Sequence, residues 1–187
     1  MRADAESGYV SAFEVYTGKK GDSVEQGLGS KVVLSLTEDL KNSFRHIYFG
    51  NFFCSAGLLI DLFKAGLYGC GTTRINRKGF PPELKKQTKK GFKERGESKT
   101  YQHGNLTACV WQDTKPVVIM ATNSNPAAPT TVERKQRDGS KVTYPCPTSV
   151  SMYKYMGGVD HNDQLRGYYH VRLNVENISI SCGFCLM

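Results

Sequence analysis

Two aspartates three residues apart follow a glycine-rich turn, and their types and spacing suit metal-dependent chemistry. The run over residues 156–164 reads Met-Gly-Gly-Val-Asp-His-Asn-Asp-Gln. A helix that begins there carries Asp160 and Asp163 near its start, where two carboxylates can share a metal ion. The same carboxylates can instead cap free N–H groups and complement the helix dipole. The local sequence leaves both interpretations open, so the elements that position the pair must decide between them.

Length and charge limit the classes of protein that this chain can represent. It has 187 residues and a formal net charge of +8. That length suffices for a sizeable core in one domain with an insertion, and the charge favours a polyanionic partner, with nucleic acid first. No apolar run approaches the roughly 20 residues of a membrane span, and no signal peptide begins the sequence. We therefore expect an intracellular protein with no membrane association.

The six cysteines are scattered and do not form a disulfide framework. Scattered cysteines in an intracellular chain favour reduced thiols. One close pair, Cys182 and Cys185, has the two-residue gap of half a zinc site. Because no second Cys or His pair lies nearby, the sequence predicts no zinc site.

Strand and helix patterns alternate through the first part of the chain. Strand formers bounded by glycines or followed by turn residues predict strands over residues 8–16, 46–49 and 67–74. Apolar residues at helical spacing predict a helix over 30–44 and another that Ser55 caps and Gly66 ends. The order strand, helix, strand, helix, strand predicts an α/β layer fold.

The composition changes after residue 74. Between residues 85 and 99, seven Lys or Arg stand against Glu94 and Glu97, which is typical of a solvated loop. The loop can contact phosphates, or its charges can serve only solubility. No aromatic side chains alternate with the charges as a base-stacking surface requires, so the sequence leaves both alternatives open. Residues 107–112 and 116–122 predict a β-hairpin. Residues 173–187 have no continued amphipathic pattern and resemble a tail.

Several short segments, taken in order, carry more information than any single motif. They are Ser7-Gly-Tyr with Glu14-Val-Tyr-Thr-Gly, His46-Ile-Tyr-Phe-Gly-Asn-Phe-Phe, Gly71-Thr-Thr-Arg-Ile-Asn-Arg, and Tyr155-Met-Gly-Gly-Val-Asp with Asp163-Gln. With these segments in compatible spacing, the chain resembles the piggyBac transposases from about residue 3 to about residue 172. The resemblance is especially close to the vertebrate piggyBac transposable-element-derived proteins.

The resemblance implies an α/β, RNase H-like fold, in which helices flank a central mixed sheet and a mostly β insertion interrupts it. On this chain, residues 1–77 and 145–172 correspond to the two parts of that domain. Residues 78–144 correspond to a basic, β-rich insertion, and residues 173–187 to a divergent tail. Since the family has further segments before and after these residues, we expect a fold that is incomplete at both ends.

The resemblance also implies catalytic residues. Members of the family cut and paste DNA at TTAA sites through three aspartates that hold two divalent metal ions, usually Mg²⁺. Asp4 matches the first aspartate, Asp160 the third, and Asp163 a further acidic residue that activity requires. The second aspartate falls at Gly50, which supplies no ligand. Because two metal ions need the full set to align the reacting oxygens, we expect Mg²⁺ to bind weakly or not at all and catalysis to be lost.

DNA contacts are expected on the basic segment. The candidate residues are Arg74, Arg77, Lys85, Lys86, Lys89, Lys90, Lys93 and Arg95. Three functions from different classes follow. The first is a degenerate, transposon-derived nuclear chain with residual DNA affinity, the second a protein-interaction module that does not bind nucleic acid, and the third an active nuclease or transposase fragment that associates with a full-length relative. We rank them in that order.

Overall fold

A computed structural model describes residues 1–16, 18, 27–128, 130–168 and 184–186. Its strands are β1 (Arg2–Asp4), β2 (Val10–Ala12), β3 (His46–Phe49), β4 (Tyr68–Thr72), β5 (Ser98–His103), β6 (Leu106–Gln112), β7 (Pro116–Ala121), β8 (Thr130–Lys135), β9 (Lys141–Cys146) and β10 (Phe184–Leu186). Its α-helices are α1 (Leu28–Ser35), α2 (Ala56–Lys64), α3 (Pro82–Lys90), α4 (Thr148–Ser151) and α5 (Gly158–Tyr168), with 3₁₀ turns at Glu38–Leu40 and Met152–Gly157.

Eight strands form one mixed sheet in the order β2-β1-β10-β3-β4-β7-β6-β5, and β8 and β9 form a separate hairpin. Within the sheet, β1 pairs in parallel with β10, and β3 in parallel with β4. The other neighbours are antiparallel. Helix α2 connects β3 to β4, as a parallel pair requires. The predicted mixed α/β sheet with flanking helices is confirmed.

Each face of the sheet carries its own core, because successive side chains of a strand point to opposite faces. In β3, Ile47 and Phe49 join a core with α2 and α3, and Tyr48 joins a second core on the other face. The first core contains Leu59 from α2 and Leu84 from α3, both fully buried. Membership of one core or the other therefore shows which face of the sheet a buried side chain lies on.

Several predicted elements are confirmed. Strand β3 has the predicted bounds, and Ser55 caps α2 by accepting a hydrogen bond from the N–H of Leu58 at 3.2 Å. Gly66 follows the helix with a φ of +71°, a conformation that glycine adopts without strain. The predicted hairpin is β6–β7. No described helix is both long and apolar enough to cross a bilayer.

Two predicted elements are wrong in extent or type. The helix predicted over 30–44 stops after Ser35, and the hydroxyl of Thr37 donates to the carbonyl of Val33 at 2.8 Å, which favours a helix end. The loop predicted over 85–99 contains most of α3 and the start of β5. Pro82 at its first turn and one buried Leu84 suffice for α3 because the sheet offers an apolar surface to pack on.

The segment predicted as an insertion has two parts. Strands β5, β6 and β7 continue the main sheet beyond β4, and β8–β9 stands apart from it. Asp113 lies between them and forms ion pairs with Arg95 at 2.5 Å and Arg134 at 3.0 Å. Of the predicted tail, only 184–186 is described, and it forms β10 between β1 and β3. The domain boundaries stay predictions.

Candidate metal and nucleic-acid sites

Asp4 ends β1, and its carboxylate organises the turn that follows. Oδ1 accepts hydrogen bonds from the hydroxyl of Ser7 at 2.6 Å, the N–H of Ser7 at 2.7 Å and the N–H of Glu6 at 3.2 Å. The hydroxyl of Ser7, followed by its N–H, lowers the pKa of Asp4. The carboxylate is therefore held in its ionised form by its own turn, in the manner of an Asx turn.

Helix α5 begins against this turn. Gly158 is buried there, and a Cβ at its position would lie 2.4 Å from the carbonyl oxygen of Asp4. Gly8, with a φ of +71°, closes the contact from the other side, where a Cβ would lie 3.2 Å from the N of Asn162. Only glycine permits so close an approach. The contact brings the first turn of α5, which contains Asp160, to the carboxyl end of β1.

The two aspartates of α5 are exposed. Asp160 lies in the first turn, where its charge complements the helix dipole. Asp163 pairs with Arg166 at 3.3 Å, one turn further on. The predicted helix start is confirmed, and both carboxylates have a local role that requires no metal ion.

Gly50 lies at the far end of the neighbouring strands. Asp4 pairs with Leu186, and Leu186 pairs with Ile47, so that β1 runs antiparallel to β3 with β10 between them. Gly50 follows Phe49, at the end of β3 that faces away from Asp4. Taking a rise of about 3.4 Å per residue and a strand spacing of about 4.8 Å, the Cα atoms of Asp4 and Gly50 are about 14 Å apart. The structure brings Asp4 to the first turn of α5 but not to position 50.

The surroundings of Gly50 are open. A Cβ at this position would meet no other atom within 4 Å. The loop that follows is held by Arg77, whose Nη2 donates to the carbonyl oxygens of Phe52 at 2.6 Å and Asn51 at 3.0 Å. Arg77 was predicted to bind DNA, and here its guanidinium supports the loop after β3. Among the described residues, no group of three or more His, Cys, Asp and Glu could hold a metal ion.

The predicted DNA-binding residues differ in their surroundings. Arg74, Lys86, Lys90 and Lys93 are exposed, and Lys85 is half-buried. Lys89 lies in α3, but its side chain is outside the described part of the chain. Arg95 is engaged by Asp113, and its guanidinium also lies 4.6 Å from the ring centre of Tyr144. The exposed lysines are therefore the ones open to a phosphate.

Sequence reasoning missed part of this basic surface. Strand β5 carries Lys99, Tyr101 and His103 on alternate positions, all three exposed. The signal in the sequence is a two-residue period in Lys-Thr-Tyr-Gln-His, which is visible only once the segment is known to be a strand.

The thiols of Cys54, Cys70 and Cys109 are buried and are poor nucleophiles. Burial raises the pKa of Cys54 to about 12 and that of Cys109 to about 11, and it also raises the pKa of Cys70 well above its ordinary value. A thiol with a raised pKa stays protonated near neutral pH and reacts slowly. These cysteines are core residues.

Comparisons with known proteins identify the family of this chain. A protein-family model described as Transposase IS4 matches residues 1–182. A cryo-EM structure of a piggyBac transposase synaptic complex with hairpin DNA shares the fold with a TM-score of 0.62 and 25% sequence identity. The match covers 81% of this chain and 30% of that chain, so this chain spans less than a third of the transposase it matches. The chain therefore belongs to the Transposase IS4 family, and its resemblance to the piggyBac transposases is confirmed.

Proposed function

We propose that this chain is a piggyBac-like transposase domain that binds DNA and does not cut it. The observation that carries the proposal is the separation of Gly50 from Asp4. Glycine stands where the family has a metal-binding carboxylate, and the pairing of β1 and β3 with β10 leaves that position about 14 Å from Asp4. A nuclear location belongs to the same proposal.

The residues of this chain do not fit the metal site of the family. DDE transposases generally use a divalent metal ion, and Mg²⁺ requires oxygen ligands about 2.1 Å away in octahedral geometry. Here Oδ1 of Asp4 receives three hydrogen bonds, Asp163 pairs with Arg166, and Gly50 contributes no oxygen. No metal-dependent step follows for this chain.

The proposal includes the type of fold: the main sheet is RNase H-like, and residues 78–144 are an insertion in it. The parallel pair β3–β4 with α2 as its connection supports it, because such βαβ units are typical of mixed sheets that helices cover. The separate hairpin β8–β9 supports the insertion.

The DNA-binding part of the proposal is supported by charge. The chain carries a formal charge of +8, and α3 exposes Lys86 and Lys90 on the side away from its buried Leu84. The structurally similar piggyBac transposase was solved with hairpin DNA. Lysines that neutralise phosphates release counterions, so affinity must fall steeply as salt rises.

A band-shift titration against salt tests this part. A 30-base-pair duplex should bind at 50 mM salt and weaken steeply by 200 mM. The double variant Lys86→Ala/Lys90→Ala should reduce the slope of log affinity against log salt by about 1.8, or about 0.9 for each lost phosphate contact. As a control, Lys135→Ala/Arg137→Ala removes two exposed charges from the hairpin. No binding at 50 mM salt, or equal losses in both variants, would refute DNA binding through α3.

A nicking assay tests the lack of catalysis. Supercoiled plasmid with TTAA sites and 5 mM Mg²⁺ should stay intact when the purified chain is added. Nicking that Asp160→Ala abolishes would overturn the proposal, since it would show a working carboxylate site. Nicking that survives Asp160→Ala comes from a contaminating nuclease or from another site of the chain. Nicking that also persists through a further purification step would overturn the proposal.

A protein-interaction role is the second candidate function. Tyr9, Phe13 and Val15 flank the edge strand β2 and are each more than 60% exposed. Exposed apolar residues beside a sheet edge favour a protein partner. Affinity capture with and without nuclease treatment separates the two functions, because only DNA-mediated partners disappear after nuclease treatment.

A further inference from the structure

Strand β5 is the outermost strand of the described sheet next to β6. Its residues pair with β6 in an antiparallel register in which Lys99 faces Val110 and Tyr101 faces Ala108. Directly paired residues lie on the same face of a sheet. Val110 and Ala108 belong to the core beneath α2 and α3, so the alternate residues Lys99, Tyr101 and His103 lie on the α3 side.

Helix α3 continues this face. It packs on β5 and β6, and its Leu84 is buried in the same core. Lys86 and Lys90 are exposed on the helix, and Lys93 is exposed in the turn that leads to β5. We call this surface the α3–β5 face, formed by Lys86, Lys90, Lys93, Lys99, Tyr101 and His103.

The α3–β5 face combines cations with an exposed aromatic ring. Tyr101 is 44% exposed, although a tyrosine in a strand usually packs against its neighbours. Its strand neighbours on this face, Lys99 and His103, lie about 7 Å to either side, or two strand residues away. An exposed ring beside cationic lysines matches the basic groove with stacking aromatics that binds unpaired nucleic acid.

The ring distinguishes single strands from duplexes. The lysines can neutralise the phosphates of either form. In a duplex, however, each base is stacked between its neighbours and offers no face to Tyr101, whereas an unpaired strand exposes the faces of its bases. The ring therefore adds affinity only for an unpaired strand.

We propose that the α3–β5 face binds an unpaired nucleic-acid strand, with Lys86, Lys90 and Lys99 on the phosphates and Tyr101 stacked against a base. This inference rests on the proposed DNA binding and names the form of nucleic acid that the face takes. The other face of β5 does not share this role, because Ser98 and Thr100 line a separate groove beside the hairpin.

Fluorescence anisotropy with two labelled probes tests the inference. The probes are a 20-nucleotide oligothymidylate, which has no internal pairing, and a 20-base-pair duplex. Tyr101→Ala should weaken binding of the oligothymidylate about fivefold or more and should change duplex binding less than twofold. Tyr101→Phe should keep both affinities, since it keeps the ring. Tyr153→Ala is the matched control, because Tyr153 is 48% exposed and lies outside the α3–β5 face.

The possible results separate the two proposals. If Tyr101→Ala leaves oligothymidylate binding unchanged, or weakens both probes equally, the single-strand inference is overturned while DNA binding stands. If the unaltered chain binds neither probe at 50 mM salt, the proposed DNA binding itself is overturned. A weakening by Tyr101→Phe as large as that by Tyr101→Ala would also overturn stacking, because the phenol hydroxyl would then carry the contact.

Discussion

The turn from β1 to β2, together with helix α5 that lies against it, uses charge in the opposite way to the α3–β5 face. At the turn, Asp4 accepts hydrogen bonds from Glu6 and Ser7, and Asp163 pairs with Arg166. On the α3–β5 face, the described side chains form no ion pair with Lys86 or Lys90. Charges that are paired within the chain are occupied by local contacts, whereas charges left open are available to a partner. The carboxylates are therefore occupied by contacts within the chain, and the lysines are open to the partner that we propose.

Arg95 shows that position in the basic segment does not decide the role. It stands two residues from Lys93, yet Asp113 and Tyr144 engage its guanidinium. Its partner Asp113 also holds Arg134 of the hairpin. The charge of Arg95 is therefore paired within the chain, as the carboxylates of Asp4 and Asp163 are, although Arg95 lies in the basic segment.

The largest expected effect comes from the single anchor of α3. Leu84→Ala should lower the free energy of unfolding by about 3 kcal/mol, because it removes a fully buried side chain and leaves a cavity. Leu165→Ala in α5 should cost less than about 1 kcal/mol, since Leu165 is 38% exposed. Urea unfolding measures both values. Similar losses in the two helices would mean that α3 is not held by Leu84.

The contact between β1 and α5 should be nearly as sensitive. Gly158→Ala should lower the free energy of unfolding by about 2 kcal/mol, because the new Cβ meets backbone atoms of Asp4 and Ala5 that cannot move aside. The neighbouring Gly157→Ala is the matched control, as a Cβ there meets nothing within 4 Å. Thermal melting compares the pair. Equal melting temperatures would show that α5 does not press on the end of β1.

Asp113 should give a smaller effect that depends on pH. Burial raises the pKa of Asp113, but the hydrogen bonds and charges of Arg134 and Arg95 outweigh it, and the net pKa is lowered. The stabilisation is therefore present above the unfolded pKa of about 3.9 and is lost as pH falls through the folded pKa. Asp113→Asn should cost about 1–2 kcal/mol at pH 7.

Urea unfolding between pH 2.5 and 7 measures this effect. The difference between the chain and its Asp113→Asn variant should shrink below pH 4. Asp61→Asn, a change at an exposed position of α2, should show a much smaller difference at every pH. A difference for Asp113→Asn that stays constant across the range would mean that the ion pairs do not hold the hairpin.

The smallest expected effect is at Gly50. Gly50→Asp should change the free energy of unfolding by less than about 0.5 kcal/mol, because the new side chain enters open space. It should also produce no Mg²⁺-dependent nicking of plasmid, since position 50 lies about 14 Å from Asp4. A nicking activity gained by this variant would show that positions 4 and 50 do meet. The carboxylates would then be available for catalysis and not only for contacts within the chain.

Elements with local signals could be predicted from the sequence. Strand β3 is a short apolar run, α2 begins at a capping serine, and β6 and β7 are runs of strand formers on either side of a turn. The start of α5 follows from its glycine pair. Each of these depends on residues that are close in sequence, so the pattern contains the information.

The remainder depends on contacts between distant residues. Helix α3 exposes most of its side chains, and its one buried residue, Leu84, gives too little periodicity to distinguish it from a loop. Strand β10 pairs with both β1 and β3 and makes them antiparallel to each other, and no local sequence pattern predicts β10. The family resemblance assigned Asp4 and Gly50 to one site, but it could not supply the pairing that decides their distance.

Strand β10 also has a consequence for the order of folding during synthesis. Among the described residues, it alone connects the β1–β2 pair to the rest of the sheet, and Arg2 of β1 pairs with Phe184. A ribosome adds about 5–20 residues per second, so the strands from β3 to β7 emerge well before β10 does. Contacts between such distant residues form late and slowly. In the described sheet, β1 and the facing edge of β3 therefore have no strand between them until β10 has been synthesised.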